Sequence, residues 1–165
     1  IAICYIEFIR GTPMLVQIMF VYFGIGAIIQ SMPALVAGII AVSVNSGAYV
    51  AEVIRSGIQS LPVGQTEAAR SLGMTKKQTF RFIVLPQALR NIWPALGNEF
   101  ITLLKDSSLV STIGVGELMY QTQLVQADTY KGVLPLFITM MIYFILTFTL
   151  TRILNYFEGR MQHAH

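Results

Sequence analysis

The stretch PVGQTEAARSLGMTKKQTFRFIVLP, residues 62–86, is a polar, basic, twice-punctuated insert between segments that are otherwise strongly apolar. Pro62 suits a first helical position, where its missing N–H would be unpaired anyway, and Thr66 to Leu72 is a short run of good helix formers. Gly73 then stops that helix, because glycine can take the left-handed conformation that a β-carbon disfavours. Thr75-Lys76-Lys77-Gln78 has the spacing of a capping box, so a second helix is predicted to start there. It is expected to run to about Leu85, with Phe80, Ile83 and Val84 at helical spacing, and Pro86 ending or kinking it.

Working outward, composition places the flanks in a bilayer. Only 12% of the 165 residues are charged and 55% are hydrophobic, where a soluble domain carries about 25% charge; mean hydropathy is +0.65. The chain reads as one all-α integral membrane domain, residues 1–165, with a loop over about 55–90. A single cysteine, Cys4, excludes an internal disulfide. The net charge of +3 does not point to nucleic acid, since the basic residues do not interleave with exposed aromatics.

About four spans are predicted. The first apolar run, Ile1 to Ile29, is interrupted by Glu7, Arg10, Gly11 and Pro13. Met14 to Ile29 is short against the roughly 20 residues a span needs, so the helix is expected to begin before Pro13 with Arg10 near its polar end. Met32 and Pro33 make a turn, and Ala34 to Ile54 is the clearest span. Ile92 to Gln121 is weaker, because Pro94, Asn98, Glu99, Lys105 and Asp106 break its hydropathy. Val133 to Leu154 is the last. Arg55, Arg70, Lys76, Lys77, Arg81 and Arg90 cluster around the central loop, which the positive-inside rule places in the cytoplasm. Arg10, Arg152 and Arg160 then fall on the same side, Lys131 outside and Lys105 at membrane depth.

Chemistry of its own is not visible in the chain. There is no G-x-x-x-x-G-K-[ST] phosphate loop, and no HExxH or CxxC pair. Both histidines, His163 and His165, sit in the terminal tail and read as solvated. Polar groups at membrane depth are the informative signal, since Lys or Asp at a helix centre costs about 2.5–3.5 kcal/mol. Asn45, Tyr49 and Glu52 form one stripe at i, i+4 and i+7, and Asn98, Thr102 and Lys105 repeat that spacing with Glu99 and Asp106 a fraction of a turn away. Facing stripes would make a water-filled solute cavity. The plainer alternative is that Lys105 and Asp106 neutralise each other, or Glu99, so that a helix pair can fold.

Glu67-Ala68-Ala69, then Gly73, then Ile83-Val84-Leu85-Pro86 resembles the EAA loop of bacterial ABC importer permeases. Arg10-Gly11-Thr12-Pro13, Asn45-Ser46-Gly47-Ala48-Tyr49 and Lys105-Asp106-Ser107-Ser108-Leu109 resemble the polar amino acid subfamily of those permeases. The resemblance covers nearly the whole chain. Such permeases usually begin with a further transmembrane helix, so the chain, starting at Ile1, is expected to lack its N-terminal span.

The resemblance implies a multi-pass subunit of the bacterial inner membrane that performs alternating access for a polar amino acid: glutamine, a basic amino acid, histidine or cystine. It implies a second permease subunit, identical or sister, an extracytoplasmic amino-acid-binding protein, and a cytoplasmic ATPase dimer that alone binds ATP and Mg. It makes Gly64, Glu67, Ala68, Ala69, Gly73, Leu85 and Pro86 the ATPase-coupling surface. Read without it, Glu67 serves only as an acidic residue near a helix N-terminus or a partner for Arg70. Two other classes share the membrane-depth charges: an ion-coupled transporter or channel, and an assembly subunit that moves no solute.

Overall fold

Gly11, Thr12 and Pro13 divide the first apolar run into two helices rather than one. In the computed structural model, which describes residues 2–29 and 32–162, α1 (Ala2–Arg10) meets α2 (Met14–Ile28) at a bend of 106°. This corrects the expected single helix through Pro13. Proline has no N–H for the preceding turn and its ring collides with the carbonyl four residues back, so the chain breaks and restarts with Pro13 as N-cap. The freed groups are recaptured locally. Gly11 N donates to Glu7 O at 2.8 Å, and Thr12 Oγ1 donates to Phe8 O at 3.0 Å. Residues Phe20–Ile25 of α2 form a wider π turn.

The 26-residue α3 (Ala34–Gln59) spans about 39 Å at the α-helical rise, enough to cross a bilayer. Its buried positions Ala37, Ala41, Asn45 and Ala48 recur every three or four residues, which makes one face of small side chains. Small residues let helices approach closely in lipid, where no hydrophobic gain drives association. Against that face Ile18 of α2 is fully buried with Ile113.

The central loop holds α4 (Val63–Ser71), with Pro62 as its N-cap rather than at the first helical position, so the helix begins one residue later than expected. Gly73 has φ +84°; its N–H donates to Arg70 O at 3.0 Å, and Met74 N donates to Ala69 O at 3.2 Å. That pair of bonds is a Schellman stop. The capping box of Thr75 and Gln78 is present at the start of α5 (Lys76–Thr79).

Pro86 does not end the helix that follows. A π turn over Phe80–Val84 leads directly into α6 (Leu85–Asp106), with Pro86 in its first turn. The wider turn makes room for the proline ring where a regular turn would not. Gln87 Nε2 donates to Ile83 O at 2.8 Å, satisfying a carbonyl there. Helix α6 also continues through Pro94 and stops at Asp106, so the expected segment to Gln121 is in fact three pieces. These are the end of α6, a 3₁₀ turn Ser107–Ile113 closed by left-handed Gly114, and α7 (Leu118–Thr129), whose N-cap Glu117 accepts from Met119 and Tyr120 N at 2.7 Å.

The 30-residue α8 (Val133–Gln162) leaves most of its apolar surface, such as Phe137, Phe144 and Ile145, uncovered, as a lipid-facing helix does. Two described helices, α3 and α8, are long and apolar enough to span, or three spans if α1 and α2 count as one. Helix α6 lies between α3 and α8 and packs on both; its polar residues keep its composition below that of a free-standing span. His163 and His165 lie outside the described residues.

Candidate functional site: a charged cavity at the broken helix

The break at residues 11–13 is held open by one side chain. Gln17, one turn into α2, points its amide back so that Nε2 donates to Ile9 O at 2.7 Å, Thr12 O at 3.1 Å and Thr12 Oγ1 at 2.7 Å. Its Oε1 accepts from Asn45 Nδ2 at 3.0 Å. Backbone groups released inside a bilayer would have no water to bond and need partners within the protein; here Gln17 supplies partners for the carbonyls of Ile9 and Thr12 while tying the break to the buried Asn45 of α3. Tyr5 OH adds a second tie, donating to Val44 O at 2.6 Å.

Between this break, α3 and α6 lies a cavity of about 340 Å³, within the roughly 300–1,000 Å³ common for small-molecule sites. The break contributes Arg10, Thr12 and Met14, α3 contributes Asn45 and Tyr49, and α6 contributes Glu99, Thr102 and Asp106. One arginine and two carboxylates therefore share a lining with hydroxyls and an amide. Arg10 lies over the Tyr49 ring with its guanidinium carbon 5.4 Å from the centroid. Its Nη1 is 3.5 Å from Glu52 Oε2.

Of the residues singled out in the sequence, Asn45, Tyr49, Thr102 and Asp106 meet in this cavity. Glu52 lies one turn beyond, in an adjoining groove of about 330 Å³ with Glu7, Arg10 and Arg55. There Arg55 holds it by two bonds, Nη2 to Oε1 at 2.5 Å and Nε to Oε2 at 2.9 Å. Asn98 belongs to a separate cleft with Trp93, Gly97 and Asn155 of α8. Lys105 is exposed and forms no ion pair with Asp106 among the described residues.

The stripe on α6 is thus Glu99, Thr102 and Asp106, rotated by one residue from Asn98, Thr102 and Lys105. Arg10, Thr12 and Gln17 are the cavity and break residues that neither stripe contained, while Glu99, placed beside the second stripe, lines the cavity itself. The available signal was the Gly-Thr-Pro break next to a basic residue.

The central loop presents a different surface. On α4 only Ala69 is buried; Gly64, Glu67 and Ala68 are exposed, as is Gly73 at its stop. Val63 and Leu72 are 71% and 84% exposed. Glu67 makes no ion pair among the described residues, because Arg70 Nη1 instead donates to Met74 O at 2.6 Å. Leu85 and Pro86 sit beyond the π turn, half-buried and exposed respectively.

Membrane-length helices, one of them broken, around a polar cavity define an integral membrane subunit built for transport. Residues 3–163 match the family described as binding-protein-dependent transport system inner membrane component, and the chain belongs to it. It is therefore a permease subunit of the ABC importer class.

The chain is 41% identical over 158 residues, 95% of its length and 72% of the relative's, to a putative glutamine transport system permease protein GlnP of Rickettsia typhi. It is 40% identical over 163 residues, 98% of its length and 74% of the relative's, to the arginine transport system permease protein ArtQ of Bacillus subtilis. A crystal structure of an amino acid ABC transporter with histidines superposes with a TM-score of 0.90 at 50% identity, covering 95% of this chain and 73% of that one. The MetNI methionine ABC transporter shares the fold, with a TM-score of 0.69 at 23% identity.

Proposed function

We propose that this chain forms the solute pathway of an ATP-driven importer of polar amino acids, with the cavity at the broken helix as its site. The observation that carries this reading is the charge content of the lining: Arg10 from the break, Glu99 and Asp106 from α6, and the neutral polar groups of Asn45, Tyr49 and Thr102 in one cavity. A free amino acid carries a carboxylate and an ammonium, and each loses hydration on entry and requires a partner. The curated relatives named for glutamine and arginine transport agree with this solute class. ATP and its Mg are bound by a separate ATPase pair, and an extracytoplasmic binding protein delivers the solute to a permease dimer. The chain does no covalent chemistry; an ion-coupled transporter or a passive assembly subunit would need no ATPase.

In this reading α4 is the coupling helix. Val63, Glu67 and Leu72 stand out from it into solvent, and the stops at Pro62 and Gly73 fix its length. Purifying the complex with its ATPase, and measuring hydrolysis with and without solute-loaded binding protein, tests the assignment. Gly73→Val is the informative variant: no atom lies within 4 Å of an added β-carbon, but φ is +84°, a strain of about 1–3 kcal/mol for a β-branched residue. It is expected to insert normally and to lose either the ATPase subunits or solute-stimulated hydrolysis. Wild-type coupling in Gly73→Val would overturn the role of α4.

The central loop faces the cytoplasm in this arrangement and the α7–α8 turn faces outside. In a Cys4→Ser background, a cysteine at Lys131 is expected to react with an impermeant thiol reagent in intact cells, and one at Lys77 to resist it. Labelling of Lys77→Cys from outside would reverse the topology.

A further inference from the structure

Arg10 belongs to two chambers at once: it lines both the cavity and the adjoining groove that contains Glu52 and Arg55. Its hold on the groove is slight. One nitrogen approaches Glu52 at 3.5 Å and the side chain is 39% exposed. Glu52 is gripped far more firmly by Arg55 of its own helix, at 2.5 and 2.9 Å. A guanidinium has five donors in a planar fork suited to a carboxylate, and no hydrogen bond of Arg10 to a protein acceptor is formed among the described residues beyond that loose ion pair.

We propose that Arg10 is a movable clamp for the solute carboxylate, and that Glu52 is its resting partner and therefore a built-in competitor of the solute. The inference rests on the reading of the cavity as a solute site and adds the residue that recognises the carboxylate. The exchange costs little in electrostatic terms. When Arg10 turns from the groove into the cavity, Glu52 keeps both bonds to Arg55, so no carboxylate is left stranded, which is the costly outcome when an ion pair is broken. The Tyr49 ring borders the cavity under the guanidinium and gives it a face to slide along without losing its cation–π contact. Position matters too: Arg10 is the last residue of α1, immediately before the break, so its side chain reaches the cavity from its rim. The charged groups that α6 brings to the cavity, Glu99 and Asp106, are both carboxylates; they would repel the solute's own carboxylate and favour its approach to Arg10.

The test is equilibrium binding of radiolabelled L-arginine, L-histidine and L-glutamine to the nucleotide-free full transporter in nanodiscs, with the α-amide of each as competitor. Wild type is expected to bind at least one of the three saturably and to prefer it over its amide. Arg10→Gln should weaken the acid by about 10- to 100-fold, the range for a lost charge-assisted contact, and leave the amide within about threefold. Arg10→Lys should fall between, because an ammonium keeps the charge without the fork.

Glu52→Gln should tighten binding about two- to fivefold, the scale of an exposed ion pair. A merely structural Glu52 would move affinity the other way. An acid-over-amide preference that survives in Arg10→Gln, or weaker binding in Glu52→Gln, overturns the clamp while leaving the solute site standing. No saturable binding of any probe by wild type overturns the solute reading and the clamp with it.

Discussion

Glu99→Gln combined with Asp106→Asn will abolish uptake of the solute, lowering its initial rate at least about a hundredfold at sub-saturating concentration. Each carboxylate, acting on an ammonium in a half-buried cavity, provides a charge-assisted contact of about 1.5–3 kcal/mol, or roughly 10- to 100-fold singly. Glu99 and Asp106 are seven residues apart on α6 and both line the cavity, so removing both leaves the solute ammonium with neutral partners only. Lys105→Met is the control. Lys105 is exposed and outside the cavity lining, and its loss should change uptake less than about threefold, on the scale of an exposed surface charge. Uptake of labelled L-arginine, L-histidine and L-glutamine into proteoliposomes carrying the whole complex measures both. Near-normal uptake by the double variant, with loss in Lys105→Met, would return the site to the stripe of Asn98, Thr102 and Lys105.

That contrast shows where the sequence was legible and where it was not. The all-helical membrane class followed from hydropathy and sparse charge, and the central loop was readable because each stop is a local event. Gly73 needs only its own φ, and the Thr75–Gln78 box only four residues. The rotation of α6 is not local. Adjacent positions on a helix are about 100° apart, so Asn98 or Glu99, and Lys105 or Asp106, give equally regular stripes until a neighbour selects one. The selecting contacts are tertiary: Ile92 against Gly57 on α3, and Gly97 against Leu154 on α8. They turn Glu99 and Asp106 toward α3 and Asn98 toward α8.

The broken helix was half legible for a similar reason. Gly11 and Pro13 announce an interruption, yet nothing in their neighbourhood specifies a 106° bend. The compensation lies in Gln17, which reads in isolation as a single polar residue in an apolar run. The bend itself brings the released carbonyls of Ile9 and Thr12 within reach of the Gln17 amide, and with those carbonyls bonded the break is tolerated in a bilayer. Asn45, expected in the solute path, is shared between that support and the cavity. A substitution there therefore acts on the frame as well as on the lining.

The same helix contact that rotates α6 should be its most fragile point. A β-carbon at Gly57 would lie 2.3 Å from Ile92 Cγ1 and 3.5 Å from its Cβ. Ile92 is 4% exposed, and Cγ1 lies too near the backbone to swing aside. Gly57→Ala is therefore expected to force α3 and α6 apart, at about 1–3 kcal/mol of overpacking, and to separate Tyr49 from Glu99 and Thr102 across the cavity. Two other glycines calibrate the effect. At Gly97 the obstacle is the tip of Leu154, Cδ1 at 3.0 Å, and at Gly47 only the Tyr5 hydroxyl at 3.4 Å. Alanine should thus cost most at 57, less at 97 and almost nothing at 47, in both the thermal midpoint of the purified complex and in uptake. Gly57→Ala with Ile92→Ala removes the colliding atom and should recover part of the midpoint, although it leaves a void of its own. Equal stability of Gly57→Ala and Gly47→Ala would mean that the α3–α6 contact does not set the geometry of the cavity.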